Sequence, residues 1–131
     1  MAKILVVDDD KQITFFLEKL LTVEGYHVTS VNESSKTLQI ASDINPDLFI
    51  LDLMMPEPNG FELCRALRAS PNFSNTPIVI ITAMDDNDSK AIATVAGAND
   101  YITKPFRPDD LGQRLKKILS KPKKRSGLIL F

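Results

Sequence analysis

The fold of this chain is decided by the stretch LFILDLMMP at residues 48–56. Its first four residues are apolar and too few to show a helical period, which predicts a β-strand buried on both faces. Asp52 ends the run, and a carboxylate at the end of a buried strand costs free energy unless a partner compensates it. Two interpretations follow. Asp52 either caps backbone donors of the next loop or is the working group of a functional site.

The composition bounds the kind of protein before any motif is considered. The 131 residues, 44% hydrophobic and 25% charged, suffice for one soluble globular domain with a substantial core. No apolar run approaches the roughly 18 residues of a membrane span, and Met1 leads into a strand rather than a signal peptide, so we expect a cytoplasmic protein without membrane contact. The single cysteine, Cys64, excludes an internal disulfide, and with one histidine a structural zinc site is not available.

Short apolar runs alternate with helical patterns along the rest of the chain. Strands are predicted at residues 3–7, 27–31, 48–51, 78–81 and 101–103, and the second helix at about 34–44. Asp10 and Gly25 are placed to begin and end the first helix. The helix faces predicted to point inward comprise Ile13, Phe16, Leu17, Leu20 and Leu21 in the first helix, Gly60, Leu63, Cys64 and Leu67 in the third, Ala91, Ile92, Val95 and Ala96 in the fourth, and Leu111, Leu115, Ile118 and Leu119 in the fifth.

Strand and helix alternate about five times with short connections, which predicts a single α/β fold. Right-handed crossovers place such strands in a parallel sheet covered by helices on both faces. The runs that begin at Lys3, Leu48 and Ile78 are the most apolar and should be central. We therefore predict a doubly wound five-stranded parallel sheet of order 2-1-3-4-5, with the functional site beyond the carboxyl ends of the strands.

Polar side chains follow four of the predicted strands at that edge, namely Asp8 and Asp9, Asp52, Thr82, and Lys104. Oxygen-only ligands suit Mg²⁺, while a hydroxyl and an ammonium group can receive the oxygens of a phosphoryl group. Asp is also a competent nucleophile toward phosphorus. Taken singly, Thr82 is better explained as a strand-end threonine and Lys104 as a solvated surface lysine.

Several motifs together resemble one known family. They are the acidic pair after the first strand, Asp52 followed by Met-Met-Pro and later Asn-Gly, the Thr82-Ala83 pair, and the stretch YITKPF at 101–106. From residue 3 to residue 120 the chain resembles the receiver domain of two-component response regulators. The resemblance implies a phosphorylation-activated switch rather than an enzyme. Such a switch accepts a phosphoryl group from a sensor histidine kinase or phosphotransfer protein, uses Mg²⁺ as cofactor, and changes its partner-binding face.

The resemblance also implies roles for single residues. The implied set is Asp52 as phosphoacceptor and metal ligand, Asp9 as a direct Mg²⁺ ligand, Asp8 as a ligand through water, the backbone carbonyl of Met54 as a further ligand, Thr82 and Lys104 as contacts of the phosphoryl oxygens, Thr82 and Tyr101 as switch residues, and Lys104-Pro105 as a cis peptide. Asp10 is assigned to capping and not to the metal. The sole histidine, His27, is expected to be an exposed surface residue, so the phosphoryl group must come from another protein.

The main alternative is a phosphatase or phosphotransferase of the haloacid dehalogenase type, which also uses a strand-end Asp with Mg²⁺. That chemistry needs a second acid two residues after the nucleophile, where this chain has Met54. A flavin carrier of the same fold needs a Ser/Thr/Gly-rich phosphate loop after the first strand, where three consecutive Asp residues would repel phosphate. A third alternative is a receiver-like scaffold that never takes a phosphoryl group.

The fourth helix, fifth strand and fifth helix resemble the dimer face of receivers in winged-helix transcription regulators. On this resemblance we expect a phosphorylation-dependent homodimer in which Lys90 pairs with Asp110 and Asp100 with Arg114 across the interface, while solvated helix charges are the alternative. Residues 1–120 are expected to form the receiver. The basic and then apolar residues 121–131 would be a tail or the start of a linker, with nucleic acid contacted only through an output domain outside this chain.

Overall fold

The computed structural model describes residues 1–120, in which strands and helices alternate from end to end. The elements are β1 (Lys3–Val7), α1 (Lys11–Val23), β2 (His27–Val31), α2 (Thr37–Ile44), β3 (Leu48–Leu51), α3 (Gly60–Ala69), β4 (Ile78–Thr82), α4 (Asn87–Ala96), β5 (Asp100–Thr103) and α5 (Pro108–Leu119). All neighbouring strands pair in parallel in the order β2-β1-β3-β4-β5, which confirms the predicted fold. The predicted tail at 121–131 lies outside the described residues.

The core has two halves, one on each face of the sheet, because successive strand side chains point to opposite faces. Residues such as Ile4, Val6 and Ile50 pack against α1 and α5 on one face. Residues such as Leu5 and Phe49 pack against α2, α3 and α4 on the other. In the predicted central strands β1, β3 and β4, every residue except Lys3 at the start of β1 is buried. Strands β2 and β5 lie at the two edges of the sheet and are only partly buried.

The helix termini follow the predicted capping chemistry. The Asp10 side chain accepts a hydrogen bond from the backbone N–H of Gln12 and begins α1, which confirms its assignment to capping. Gly25 follows the end of this helix with φ of 99°, a value that favours glycine. Asn59 and Glu62 form a reciprocal capping box at the start of α3.

The inward position predicted for Phe16 in α1 needs correction, because this side chain is 47% exposed. The buried residues of the helix are Thr14, Leu17 and Leu21, and Phe16 lies outside that face, with its ring beside that of Phe106.

Two further predictions about helices need correction. The helix predicted from Ser34 or Ser35 begins with a short 3-10 turn, and the α-helix starts only at Thr37. In α4, the predicted inward residues Ala91, Ile92 and Val95 are exposed, and only Ala96 of that set is buried.

Helix α4 turns a different face toward the core than its larger apolar residues predicted. The Asp86 carboxylate caps the helix by accepting hydrogen bonds from the backbone N–H and the hydroxyl of Ser89, and Ser89 begins the buried face. Ala93 and Ala96 continue the buried face. Helix α4 therefore buries its small side chains and leaves Ile92 47% and Val95 89% exposed.

The Lys104-Pro105 peptide is cis as the resemblance implied, and a second cis peptide, Glu57-Pro58, lies in the loop before α3. His27 is exposed, as expected. Within residues 1–120, no helix is long and apolar enough to cross a bilayer.

Candidate functional site

Three carboxylates converge at the carboxyl edge of the sheet. Asp8 and Asp9 follow β1, and Asp52 follows the neighbouring strand β3. One carboxylate oxygen from each lies within 4.8 Å of the others, with Asp8 and Asp52 buried and Asp9 exposed. This oxygen-only donor set, open on the Asp9 side, has the chemistry and spacing that suit Mg²⁺.

Lys104 brings a cation into this acidic cluster from the end of β5. Its ammonium nitrogen lies 2.9 Å from Asp8 Oδ2 and 3.6 Å from Asp52 Oδ2. The Asp8 side chain is only 4% exposed and that of Lys104 only 19%, so solvent screens this contact weakly. The sequence placed Lys104 at this edge but gave no sign that its shorter contact is to Asp8 rather than to Asp52.

The protonation equilibria of Asp8 and Lys104 are shifted by their surroundings. Burial raises the pKa of the Asp8 carboxyl, since desolvation outweighs the hydrogen bond that Lys104 donates. Burial alone would lower the pKa of Lys104, but the hydrogen bond to Asp8 and the charge of Asp52 outweigh it and raise this pKa. The ammonium therefore stays charged at neutral pH, whereas ionisation of Asp8 costs free energy.

The loop after β3 orients the Asp52 carboxylate. The backbone N–H of Met54 donates to Asp52 Oδ1 over 3.3 Å, and the N–H of Gly60 donates to the Leu53 carbonyl over 3.1 Å. A Cβ atom at Gly60 would overlap the Asp52 carbonyl oxygen. The start of α3 can therefore approach the Asp52 loop only because residue 60 is glycine.

Thr82 ends β4 at the same edge and is fully buried. Its carbonyl accepts a hydrogen bond of 2.8 Å from the backbone N–H of Lys104, so the two residues are neighbours across the β4–β5 pair. The N–H of Met84 approaches Thr82 Oγ1 at 3.4 Å. Thr82, Lys104 and the three carboxylates thus lie at one end of the sheet, as the sequence predicted.

Comparison with known proteins identifies this arrangement. A family model for the response regulator receiver domain matches residues 4–116. The chain belongs to the response regulator receiver family. It is 40% identical over 114 residues to the DNA-binding response regulator MtrA of Mycobacterium tuberculosis, covering 87% of this chain and 49% of that protein. It is 39% identical over 125 residues to the probable transcriptional regulator ycf27 of Porphyridium aerugineum, covering 95% of this chain and 51% of that protein.

Solved structures agree with the receiver assignment. A putative response regulator from Chloroflexus aurantiacus superposes with a TM-score of 0.87 at 37% identity, covering 92% of this chain and 98% of that one. The chemotaxis protein CheY4 of Vibrio cholerae gives 0.86 at 31% identity, covering 90% and 98%. The haloacid dehalogenase alternative has no support from these relatives. The receiver spans about half the length of the curated relatives it matches.

Tyr101 connects β5 of the receiver to the loop after β4. Its hydroxyl donates a 2.6 Å hydrogen bond to the Met84 carbonyl, and the two side chains pack against the same half of the core. Burial, together with the charges of Asp86 and Asp52, raises the pKa of Tyr101, so the hydroxyl remains a donor. The Met84 carbonyl is a partner that no sequence pattern identified.

Three of the four charged residues predicted for a dimer face pair with one another within one receiver chain. Arg114 Nη1 lies 3.1 Å from Asp100 Oδ1, and Arg114 Nε lies 3.2 Å from Asp110 Oδ2. The Asp100–Arg114 pair is therefore already made within one chain. Lys90 is exposed on α4, on the same helix as Ile92. The cross-dimer pairing stays a prediction.

Proposed function

We propose that Asp52 accepts a phosphoryl group in a Mg²⁺-dependent reaction and that this aspartyl-phosphate is the signalling state of the receiver. The observation that carries the proposal is the convergence of three carboxylates with Lys104 at one sheet edge. Nothing in the packing of the fold requires three acids there, because their mutual repulsion opposes folding. A site that binds a divalent cation and a phosphoryl group accounts for that charge.

Asp52 supplies the nucleophile of the proposed reaction. A carboxylate oxygen of Asp52 forms a bond to phosphorus while the bond from phosphorus to the donor nitrogen breaks, and its electron pair leaves with the donor imidazole. Asp8, Asp9, Asp52 and the Met54 carbonyl would hold Mg²⁺, which supplies charge neutralisation for the phosphoryl oxygens. The Lys104 ammonium, 3.6 Å from Asp52 Oδ2, is near enough to bind a phosphoryl oxygen. The Thr82 hydroxyl is proposed as a second contact.

The switch is proposed to run from Thr82 to Tyr101. Movement of the Thr82 hydroxyl toward a phosphoryl group would displace the loop that holds Met84, whose N–H lies 3.4 Å from that hydroxyl. The Met84 carbonyl is in turn the acceptor for Tyr101. A change at Asp52 can therefore alter the outer face of α4 and β5, where Ile92 is already exposed.

The phosphoryl donor is proposed to be a sensor histidine kinase or a phosphotransfer protein. An exposed apolar surface suited to it adjoins the site, where a groove is lined by Ile13, Phe16, Lys104, Pro105 and Phe106. The Phe16 and Phe106 rings lie 6.1 Å apart. Phe16→Asp should slow labelling by a kinase that phosphorylates the wild type and leave labelling by a small phosphoramidate unchanged. Equal rates from the kinase would contradict this docking surface.

The wider context is also a proposal. Residues 1–120 would form a cytoplasmic receiver, and residues 121–131 a tail or the start of a linker to an output domain that contacts DNA. The relatives of this chain that are named DNA-binding response regulators are about twice as long as the segment that matches, which supports this organisation. A phosphorylation-dependent homodimer through α4, β5 and α5 would connect the site to the output.

Labelling by a small phosphodonor tests the proposed function directly. The protein is incubated with a phosphoramidate, with Mg²⁺ or with EDTA, and analysed by intact mass. We expect a gain of one phosphoryl group with Mg²⁺ only. Continuous release of phosphate without an accumulated adduct would indicate a phosphatase, and no adduct under any condition would indicate a scaffold.

A further inference from the structure

A residue outside every recognised motif holds the peptide unit between Asp8 and Asp9. Asn32 directly follows β2, and its side-chain amide nitrogen donates a 2.9 Å hydrogen bond to the Asp8 carbonyl oxygen. The same nitrogen donates a 3.0 Å bond to Thr14 Oγ1 in α1. A carboxamide nitrogen has two N–H groups, so both donors of Asn32 are used. One acceptor belongs to the acidic pair itself, and the other lies in α1, the helix that follows it.

The position of this contact matters because the Asp8 carbonyl belongs to the peptide that joins Asp8 to Asp9. The Asp8 N–H also donates to the Val31 carbonyl over 3.1 Å. The end of β2 thus fixes the backbone on both sides of the Asp8 Cα atom. In the described part of the chain, the Asp9 carboxylate accepts no hydrogen bond, so its direction depends on that backbone.

We propose that Asn32 is a positioning residue for the divalent cation, acting through the Asp8–Asp9 peptide rather than by contact with the ion. The proposal rests on the proposed function, since it assumes that these acids bind Mg²⁺. Loss of the amide frees the peptide to rotate, and the two carboxylates then reach their binding geometry only part of the time. Partners that orient metal ligands in this way commonly alter metal affinity without coordinating the metal.

A purely structural role for Asn32 would have a different consequence. Its bond to Thr14 also ties β2 to α1, and this tie alone would affect stability but not cation binding. Ser30, which lies in β2 two residues before Asn32, offers a matched control, because its hydroxyl donates a 3.0 Å hydrogen bond to Glu18 Oε2 and joins the same two elements. That bond does not involve Asp8 or Asp9.

The test measures Mg²⁺ affinity and stability separately. Amide chemical shifts are followed by NMR during MgCl₂ titration of the wild type, Asn32→Ala, Asn32→Leu and Ser30→Ala, and melting is recorded in EDTA. We expect the Asn32 variants to raise the Mg²⁺ Kd about three- to tenfold, the range for loss of one neutral hydrogen bond. Ser30→Ala should change the Kd less than twofold. Asn32→Leu keeps most of the side-chain volume and serves if Asn32→Ala does not fold.

The outcomes separate this inference from the proposed function. Wild-type binding that is unchanged in both Asn32 variants would contradict the positioning role and leave the Mg²⁺ site intact. An equal loss of affinity in Ser30→Ala would also contradict it, because the effect would then follow the β2–α1 tie. A wild type that binds no Mg²⁺ would overturn the proposed site itself. Thr14→Val, which spares the Asn32–Asp8 bond, should weaken binding less than Asn32→Ala.

Discussion

Lys104 and Asp8 form an ion pair of 2.9 Å at the carboxyl edge of the sheet. The same ammonium lies 3.6 Å from Asp52, so one cation faces three carboxylates once Asp9 is included. Two like charges 4 Å apart repel by about 4 kcal/mol at an effective dielectric constant near 20. The metal-free receiver is therefore expected to be destabilised by its own site, by a few kcal/mol in total after Lys104 offsets part of the repulsion.

Removing one of these charges should stabilise the metal-free protein. Asp52→Asn keeps the shape and an oxygen acceptor for the Met54 N–H, so its main effect is electrostatic. We expect a higher Tm in EDTA by about 3–5 °C for each kcal/mol of relieved repulsion. Since Mg²⁺ stabilises only the folded form that binds it, the further rise with Mg²⁺ should shrink. Differential scanning calorimetry with EDTA and with MgCl₂ measures both.

Asp10→Asn is the matched control for this charge removal. The Asp10 side chain caps α1, and Asn is an equally good cap, so neither Tm should change appreciably. A lower Tm for Asp52→Asn in EDTA would mean that its carboxylate is structural. That result would favour the interpretation of Asp52 as a loop cap.

The raised pKa of Asp8 gives the metal-free receiver a defined pH dependence. A carboxyl whose folded-state pKa lies above its unfolded value stabilises the protein when protonated, and this contribution is lost as pH rises through the folded pKa. In EDTA, the Tm of Asp8→Asn relative to that of the wild type should therefore be highest at pH values above the raised pKa of Asp8. This relative Tm should fall as the pH is lowered through that pKa. A relative Tm that rises on acidification would contradict the burial argument.

The phosphoryl group should persist because two methionines border the site. Met54 is 59% exposed next to Asp52, and Met84 follows Thr82 by two residues. A thioether is a weak acceptor and cannot orient an attacking water strongly. Met84→Glu and Met54→Asn should each speed decay about two- to tenfold, the scale of one hydrogen bond. Decay is followed by intact mass after the donor is removed, with exposed Val23→Asn as a remote control. If the phosphoryl group decayed as slowly as in the wild type, or more slowly, in both variants, the role assigned to the two methionines would be contradicted.

The dimer prediction can be tested by exchanging charges. The predicted cross-dimer pair joins Lys90 of one chain to Asp110 of the other, so Lys90→Asp and Asp110→Lys should each weaken a phosphorylation-dependent dimer. Within one chain, Asp110 also pairs with Arg114. The double variant restores opposite charges across the interface and should recover dimerisation. Each exposed pair contributes only about 0–1 kcal/mol, so sedimentation must be run near the dimer Kd. A monomer with and without a phosphoryl mimic, or a dimer indifferent to these changes and to Arg114→Glu, would contradict the proposed interface.

The strand order and the location of the site were predictable from sequence because strands alternate with helices and the most apolar strands lie at the centre of such a sheet. Apolar runs that each end in a polar residue place Asp8, Asp52 and Lys104 at one edge as soon as the strands are parallel. The individual contacts were not predictable, since they depend on where flexible side chains reach. The Lys104 contact with Asp8 and the Tyr101 contact with a carbonyl are of this kind.

Helix α4 and Asn32 mark two other limits of sequence interpretation. The apolar residues Ile92 and Val95 suggested a buried face, but Ser89 and two alanines occupy it instead, because a close-packed interface can select small side chains over large ones. Asn32 lies in a short polar stretch after an edge strand, where nothing in the residue pattern distinguishes a positioning amide from a loop residue. Only the fold brings it to the Asp8 carbonyl.

The central claim, that Asp52 is the phosphoacceptor, is tested most directly by site-specific labelling. Wild type, Asp52→Asn and Asp10→Asn are treated with a phosphoramidate and Mg²⁺, and intact mass is recorded before and after addition of EDTA and dilution. We predict one added phosphoryl group on the wild type and on Asp10→Asn, and none on Asp52→Asn. A phosphoryl adduct on Asp52→Asn equal to that of the wild type would contradict the assignment.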